Sequence, residues 1–272
     1  MRLARNILLN LSLVAAGFVF AIGDLAAQDA PILERVMTSD TLRVGMSGNQ
    51  PPFNFRNRSG AMAGMDYELA TLLAGAMGVE LRIVTKPFGQ LRAALKAGEV
   101  DAVISGMAIT AQRARDMLFV GPYMVSGKSI LTNSRALAAI DEAEDINRAN
   151  LKLAALEGST SQEFIERYVP EAQLTTVEDY EEAVQMVIND TVDALVADMP
   201  ICVLAVLRYP DRGLVTLAEL LTIEPIGVAV PANDLMFRSL IQNYMDGPAG
   251  LGILEELRSM WFDDGSWIAT LP

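Results

Sequence analysis

Residues 100–113 read VDAVISGMAITAQR, and this stretch decides the fold. It begins as a short apolar run after a glycine-containing turn, which is typical of a strand buried on both faces. The small residues Ser105, Gly106 and Ala108 follow. Thr110 is then a predicted helix N-cap, which places Arg113 in the first helical turn. A basic residue in a first turn opposes the helix dipole. We therefore expect Arg113 to serve something other than its own helix.

The same phrase returns at residues 192–199, which read VDALVADM against VDAVISGM at 100–107. An amphipathic helical stretch precedes each copy. The alternative is that a common tripeptide, Val-Asp-Ala, recurs by chance, but the helical stretch before each copy argues against this. The chain is thus predicted to contain two comparable α/β units, with one strand leading to the cation Arg113 and the other ending on the anion Asp198. Ligands of open α/β sheets bind beyond the carboxyl ends of strands, where both charges are expected.

Residues 1–27 have the pattern of a secretory signal peptide. Arg2 and Arg5 form a basic start, an interrupted apolar run follows, and Leu25-Ala26-Ala27 offers a small-residue cleavage site. An uncleaved anchor is the alternative, but the run is short for a span of roughly 20 apolar residues. The expected location is the periplasm, after cleavage of the signal. The single cysteine, Cys202, cannot form an internal disulfide and is expected to be buried packing.

Composition excludes several classes of function. The chain has 34 acidic and 21 basic residues and a net charge of −13, so it lacks the basic surface that nucleic-acid binding needs. It has no histidine and one cysteine, which excludes a histidine or thiolate metal site and a nucleophile–histidine dyad. No calcium-type acidic loop is present. We therefore expect no metal and no cofactor.

The order of predicted elements is strand–helix–strand–helix–strand, which implies parallel pairing with right-handed crossovers. The first unit has a strand at 41–46, a helix from 65 to 77 capped by Asp66 and stopped by Gly78, a strand at 80–86 and a helix at 88–97. Residues 119–123 are predicted to break the pattern, and 124–132 to carry the chain into the second unit. That unit is predicted to contain a strand at 151–156, helices after Gly158 and at 177–188, the repeated strand, and a helix from Pro200. A further strand (226–230) and two helices (234–244 and 249–261) end the chain.

The predicted domain boundaries follow from the two crossings. Residues 38–124 and 225–272 are assigned to lobe 1, and residues 125–224 to lobe 2. Two connecting segments side by side, near 124 and 224, form a hinge. The expected architecture is therefore two Rossmann-like α/β lobes with mostly parallel sheets.

Three groups of residues are candidates for ligand contact. The Arg113 guanidinium is a planar fork that matches a carboxylate, although a surface salt bridge is the plainer interpretation. Gly158, Ser159 and Thr160 precede a helix and offer free N–H groups and hydroxyls, with a simple helix cap as the alternative. Asp198 precedes Pro200 and is predicted either to cap that helix or to take the ammonium of a ligand. Asp101 and Asp193, at strand starts, are interpreted as structural.

These residues bring out a resemblance to the family 3 extracellular solute-binding proteins, which have the type II periplasmic binding fold and serve ABC importers of amino acids. It covers nearly all of residues 41–262. The matching phrases are Leu42-Arg43-Val44-Gly45, Pro51-Pro52-Phe53, GMDYELA at 64–70, GEVDA at 98–102, Ile109-Thr110 with Arg113, Phe119 with Pro122-Tyr123, Gly158-Ser159-Thr160, and Asp193 with Asp198. Each phrase is weak alone, but the set is specific in this order and spacing.

The resemblance implies a role for each matching position. Arg113 is expected to hold the α-carboxylate of the ligand, helped by Ala108 and by Ser159 or Thr160. Asp198 is expected to take the α-ammonium together with Ser105. The implied side-chain pocket consists of Ser47, Gln50, Phe53 and Phe88. This chain departs from the family pattern in having Ser47 where many members carry an acid, Gln50 where many carry a stacking aromatic residue, and Ala108 without the usual hydroxyl.

The leading functional hypothesis is a non-enzymatic, monomeric receptor that delivers an amino acid or related carboxylate to an ABC permease. The first alternative is an enzyme, because some proteins of this fold are dehydratases of cyclic prephenate-like acids. Such chemistry needs a general acid or base, and Glu157 is the only spare acid of the predicted cleft. The second alternative is a sensory protein that docks on a receptor.

Overall fold

A computed structural model describes residues 30–140 and 142–272 of the chain. The predicted signal peptide at 1–27 lies outside the described residues. The helices are α1 (Pro31–Ser39), α2 (Met65–Met77), α3 (Leu91–Lys96), α4 (Thr160–Tyr168), α5 (Tyr180–Ile188), α6 (Met199–Arg208), α7 (Leu235–Asp246) and α8 (Pro248–Arg258). The strands are β1 (Thr41–Met46), β2 (Asn49–Gln50), β3 (Asn54–Arg56), β4 (Met62–Ala63), β5 (Glu80–Thr85), β6 (Ala102–Val103), β7 (Met117–Ser126), β8 (Lys128–Thr132), β9 (Lys152–Leu156), β10 (Gln173–Val177), β11 (Ala194–Asp198), β12 (Val215–Thr216) and β13 (Glu224–Pro231).

Two five-stranded sheets of the same design carry the fold. Their strand orders are β5-β1-β6-β13-β7 and β10-β9-β11-β8-β12. In each sheet the first three strands are parallel and the last two pairings are antiparallel. A small sheet, β2-β3-β4, lies on the first unit. The predicted two-unit α/β architecture is confirmed, with the antiparallel strands added where the chain passes between the units.

The repeated Val-Asp-Ala phrase makes the same contacts in both sheets. Asp101 accepts a hydrogen bond from the Arg43 N–H at 2.7 Å and donates its own N–H to the Arg43 carbonyl at 2.8 Å. Asp193 exchanges the same two bonds with Lys152, also at 2.7 and 2.8 Å. Each aspartate therefore fixes the start of the neighbouring strand, which is the structural role expected from the sequence.

The two crossings between the sheets lie side by side. Ser126 at the end of β7 pairs with Glu224 at the start of β13, and Gly127 separates β7 from β8. We propose that the sheets and their helices are two lobes with the predicted boundaries, 38–124 plus 225–272 and 125–224. These paired segments are then the hinge.

The predicted break at residues 119–123 is wrong, because these residues lie within β7. Pro122 lacks an N–H, but β7 is the edge strand of its sheet and the ladder with β13 shifts register between Ile226 and Val228. Gly121 adopts a φ of +116° at this irregularity. An edge position and a bulge are the places where a strand tolerates proline.

The predicted helix at 177–188 begins later, at Tyr180, where the Asp179 carboxylate accepts the Glu181 N–H at 2.6 Å. Val177 instead ends β10, a strand that the sequence did not predict. Gln173, Thr175 and Thr176 of this strand are exposed, so it has no apolar run. Helix α1 was likewise not predicted.

A substitution at Gly127 tests how closely the two crossings approach each other. A Cβ atom at this position would lie 1.8 Å from the carbonyl oxygen of Thr222, on the returning crossing. We expect Gly127→Ala to reduce the free energy of unfolding by more than about 2 kcal/mol, because backbone must move to relieve the overlap.

Gly75→Ala is the matched control. A Cβ there meets no atom within 4 Å, and the residue lies in α2, so the substitution should stabilise by roughly 0.5–1 kcal/mol. Urea denaturation measures both values, and equal stability of the Gly127 variant and the parent chain would contradict the described crossing.

Candidate functional site

Arg113 lies where the two sheets meet, and only 1% of its surface is exposed. Its Nη1 atom donates to the Ala108 carbonyl at 2.9 Å and its Nη2 atom to the Gly158 carbonyl at 3.2 Å. The first carbonyl belongs to the loop after β6 and the second to the loop after β9, so one guanidinium bridges the two units. Phe88 packs with its ring centre 5.8 Å from the guanidinium carbon.

The Nε–H group of Arg113 is buried and has no hydrogen-bond partner in the part of the chain that the structure describes. Burial lowers the pKa of the guanidinium from its ordinary value, and the carboxylates of Glu163, Glu224 and Asp198 oppose this effect. Arginine is effectively always protonated in proteins, so the site holds a positive charge whose Nε–H donor is unpartnered among the described residues. That combination suits an anion.

The helix predicted to start at Thr110 is a single 3₁₀ turn, Arg113–Arg115, because β7 begins at Met117. The Thr110 hydroxyl accepts the Arg113 N–H at 3.1 Å, as a capping residue does. Arg113 is therefore the first residue of a 3₁₀ turn and does not belong to an α-helix.

The hydroxyls of the 158–160 segment are engaged within the protein. Ser159 caps α4 by accepting the Gln162 N–H at 3.2 Å and donates to the Leu156 carbonyl at 2.6 Å. Thr160 donates to the Glu224 carboxylate at 2.7 Å. The capping interpretation of Ser159 is therefore confirmed, and a direct role of these residues with a ligand stays a prediction.

Asp198 lies at the first crossing of the chain and is paired with a lysine. The Lys128 ammonium is 2.6 Å from Asp198 and 2.9 Å from Glu224, and its side chain is 1% exposed. Burial alone would lower the pKa of this ammonium, but the Asp198 and Glu224 carboxylates outweigh burial and raise the pKa. Asp198 occupies the N-cap position of α6 without making a side-chain cap bond, so the capping prediction is wrong.

Lys128 and Glu224 were not identified from the sequence. Each is the first residue of a strand that leaves a crossing, β8 and β13. The available signal was a single lysine before an apolar run, in SGKSILT at 126–132. Without knowledge of the crossing, nothing in the sequence brings it to a glutamate 96 residues away.

Ser47 and Gln50, assigned to the side-chain pocket, and Ser105, assigned to the ammonium, are linked by hydrogen bonds. The Ser105 hydroxyl donates to Gln50 at 2.9 Å and accepts the Ser47 N–H at 3.1 Å. Asn54 joins them through Ser47 at 3.1 Å and Ser105 at 3.2 Å. Within the described residues no hydrogen bond links Ser105 to Asp198. These side chains form a satisfied buried network, which fixes the loop that follows β1.

Phe53 and Phe88, the aromatic residues assigned to the same pocket, are both buried. Phe53 packs edge-on against Phe262 with ring centres 5.4 Å apart. Phe88 lies against Arg113, a charged residue of the candidate site.

Asp66 is a member of the buried network and does not cap a helix. Gly64 is the N-cap of α2, and Asp66 is in its first turn. Its carboxylate accepts bonds from the Tyr123 hydroxyl at 2.7 Å, from Asn54 at 2.9 Å and from the Gly106 N–H at 2.9 Å. Burial raises the pKa of Asp66 to about 6 in spite of these bonds. The capping prediction failed because the residue points into the core.

A cavity of about 330 Å³ lies between the two units. Its walls come from the loop after β1, the small sheet, α5, α6 and the last residues of the chain. None of the residues that the sequence assigned to the ligand line it. Tyr180, which does, has a hydroxyl pKa raised well above its ordinary value, mainly by burial and also by the Asp198 and Glu224 carboxylates. Ile201, which follows Asp198 by three residues at the start of α6, also lines the cavity, so the cavity adjoins the charged cluster.

The described residues 30–140 and 142–272 contain no cluster of three or more side chains that could hold a metal ion. Over the same part of the chain, no helix is long and apolar enough to cross a membrane. The geometry presents two α/β units bridged by a buried cation, with a charged cluster on the second unit.

Two α/β sheets joined by paired crossings, with a buried arginine between them, define the class of two-lobed periplasmic binding folds. The family model of bacterial extracellular solute-binding proteins, family 3, matches residues 42–264. The chain belongs to this family, and the resemblance inferred from its motifs is confirmed.

The names of individual relatives refer to an enzyme in one case and to amino-acid-binding proteins in others. The chain is 27% identical over 180 residues to cyclohexadienyl dehydratase of Pseudomonas aeruginosa, covering 66% of this chain and 67% of the relative. It is 26% identical over 255 residues to the L-cystine-binding protein TcyJ of Escherichia coli, covering 93% and 94%. A crystal structure of the ancestral amino acid-binding protein AncCDT-1, described as a precursor of cyclohexadienyl dehydratase, superposes with a TM-score of 0.77 at 32% identity, covering 85% of this chain and 99% of that one.

The buried Asp66 carboxyl gives a testable pH dependence. Its pKa rises from 3.8 in the unfolded chain to about 6 in the fold, so the folded state binds the proton more tightly. Stability from this residue is therefore highest below pH 4 and falls as the pH rises through 6, by about 3 kcal/mol in total. In Asp66→Asn the amide nitrogen can donate to Tyr123 while its oxygen accepts from Asn54 and Gly106, as the protonated acid does.

We expect urea denaturation of Asp66→Asn to lack this decline between pH 4 and 7. The exposed Glu80→Gln serves as the control for removal of one negative charge. Parallel pH curves for the parent chain and Asp66→Asn would contradict the assignment of a raised pKa to Asp66.

Proposed function

We propose that this chain binds an amino acid or a related small carboxylate between its lobes, with Arg113 holding the carboxylate. The observation that carries the proposal is the buried Arg113 guanidinium, which reaches both units and keeps an Nε–H without a partner among the described residues. Hydrogen bonds between charged groups contribute roughly 1.5–3 kcal/mol each. A carboxylate on this fork therefore supplies a large part of the about 8 kcal/mol that micromolar binding requires.

The second pole of the proposed site is the cluster of Asp198, Glu224 and Lys128. Two carboxylates and one ammonium leave one net negative charge, and Arg113 on the other unit carries one positive charge. Lys128 contacts Oδ1 of Asp198, and Oδ2 has no hydrogen-bond partner in the described part of the chain. Asp198 is 15% exposed, which leaves this oxygen free to accept the ammonium of a zwitterion. The charge arrangement supports an α-amino acid, with Asp198 opposite Arg113.

The proposed biological role is delivery of the ligand to an ABC permease by a monomeric periplasmic protein. Closure of the lobes about the paired crossings removes water from the two poles and strengthens both electrostatic contacts. Relatives named for amino acids support this ligand class, among them the L-cystine-binding protein TcyJ. The predicted signal at 1–27 is expected to be cleaved on export.

The enzyme alternative follows from the similarity to cyclohexadienyl dehydratase. Glu157, the acid singled out for such chemistry, is exposed, and its side chain makes no hydrogen bond to any described residue. A general acid is normally tuned by burial and neighbours, so an exposed carboxylate favours a non-enzymatic role. We expect no turnover of a prephenate-like cyclohexadienyl acid, and turnover that Glu157→Gln removes would establish the alternative.

The carboxylate role of Arg113 is tested by substitution. A thermal-shift screen of amino acids, opines and small carboxylates identifies a ligand through its concentration-dependent rise in melting temperature. We expect Arg113→Ala and Asp198→Ala each to weaken that ligand at least a hundredfold in isothermal titration, because each removes one charged pole.

Arg115→Ala is the matched control, since Arg115 lies two residues away and is exposed. It should bind with unchanged affinity, and circular dichroism checks that every variant is folded. Unchanged affinity in a folded Arg113→Ala or Asp198→Ala variant would contradict the role proposed for that residue.

A further inference from the structure

The cavity between the units has a buried apolar floor. Val184 of α5 and Ile201, Leu204 and Ala205 of α6 are each at most 7% exposed, and Phe55 of β3 is 2% exposed on the opposite side. The floor therefore combines side chains from both proposed lobes. A space with such walls favours an apolar group that leaves water.

The charged residues at the edge of the cavity are hydrogen-bonded within the protein. Arg56 donates to the Gly60 carbonyl at 3.1 Å and to the Thr85 hydroxyl at 3.2 Å. Arg208 forms a salt bridge with Glu181 at 2.6 Å, and the Tyr209 hydroxyl also donates to Glu181. Asp179 accepts the Asn49 amide at 3.3 Å and the Glu181 N–H at 2.6 Å. These contacts satisfy the edge charges, so the cavity offers little to a cationic or anionic side chain.

The cavity and the proposed ligand site share two elements, the loop after β1 and helix α6, whose N-cap is Asp198 and whose Ile201 lines the cavity. Gly48, Asn49 and Pro51 of its wall belong to the loop that also carries Ser47 and Gln50. Tyr180 also lines the cavity, and Asp198 and Glu224 raise the pKa of its hydroxyl while Arg113 lowers it. One molecule whose charged end lies at Arg113 is thus placed to extend into this space.

The volume limits the size of the group. An apolar cavity of about 150 Å³ is large enough to bind benzene. The cavity of about 330 Å³ described here has room for a phenyl or indole group.

We propose that this cavity receives the side chain of the ligand, and that the ligands of this protein are amino acids or carboxylates with a large apolar or aromatic side chain. The inference rests on the proposed function, because it takes the carboxylate to lie at Arg113. It separates this chain from relatives named for cationic or acidic amino acids, such as an arginine-binding periplasmic protein of Mannheimia haemolytica and the glutamate-binding protein GluB of Corynebacterium glutamicum.

The test compares four probes by isothermal titration with the mature chain: phenylalanine, 3-phenylpropionate, alanine and arginine. We expect phenylalanine to bind at least tenfold more tightly than alanine and arginine, because only its side chain fills the apolar space. Comparison of phenylalanine with 3-phenylpropionate measures the contribution of the ammonium at Asp198 separately.

A variant that fills the cavity tests whether the ligand side chain binds there. Ala205→Leu adds apolar volume to the floor and should weaken phenylalanine at least tenfold while leaving alanine unchanged. Val203→Leu is the matched control, since Val203 lies on the same helix, is 39% exposed and does not line the cavity.

The outcomes separate failure of the apolar side-chain inference from failure of the proposed function. If alanine or arginine binds at least as tightly as phenylalanine, with that binding lost in Arg113→Ala, the apolar inference is overturned and the proposed function stands. If phenylalanine binds best but Ala205→Leu has no more effect than Val203→Leu, the cavity is not its side-chain site. If none of the four probes binds the folded chain, both the inference and its amino-acid basis are overturned.

Discussion

The contact on which the rest of the structure depends is the Arg113 guanidinium donating to one carbonyl of each unit, Ala108 and Gly158. A charge this deeply buried is costly unless it is hydrogen-bonded and paired. The fold meets that cost with two carbonyls, an aromatic face and nearby carboxylates, and it leaves the Nε–H open. A ligand carboxylate is a stronger acceptor than a neutral carbonyl, since bonds between charged groups are the strong ones. We propose that the two carbonyls hold the Arg113 guanidinium in place until a ligand carboxylate binds it.

The architecture explains why this contact forms between units and not within one. Each sheet ends its parallel strands at the crevice, and Asp101 and Asp193 fix the two strand starts with the same pair of hydrogen bonds. The crossings at Gly127 and Thr222 pass so close that a single Cβ atom would overlap a carbonyl. The Lys128–Glu224 salt bridge joins the first residues beyond both crossings, and Asp198 shares that lysine. The charged pole of the second unit is therefore attached to the proposed hinge itself.

Much of the fold was predictable because apolar runs and turn residues report local structure. Strand β1, helix α2 and the repeated strand all lie where the sequence pattern places them. Arg113 was singled out because a basic residue is unfavourable in the first turn of a helix, although the structure has only a 3₁₀ turn at this position. The features that the sequence did not predict depend on contacts between distant parts of the chain. Lys128 meets Glu224 across 96 residues, Asp66 looks like a cap until its burial is known, and β10 is an edge strand with an exposed face. Each depends on tertiary contacts that no window of sequence contains.

A crystal structure of the chain with a bound amino acid tests the central claim most directly. We expect the ligand carboxylate within about 3 Å of Arg113 nitrogens, including Nε, a normal distance for a charged hydrogen bond. We also expect the ligand to lie between the Ala108 and Gly158 loops. A ligand bound elsewhere, with the Arg113 Nε still unpartnered and its two carbonyl bonds intact, would contradict the claim.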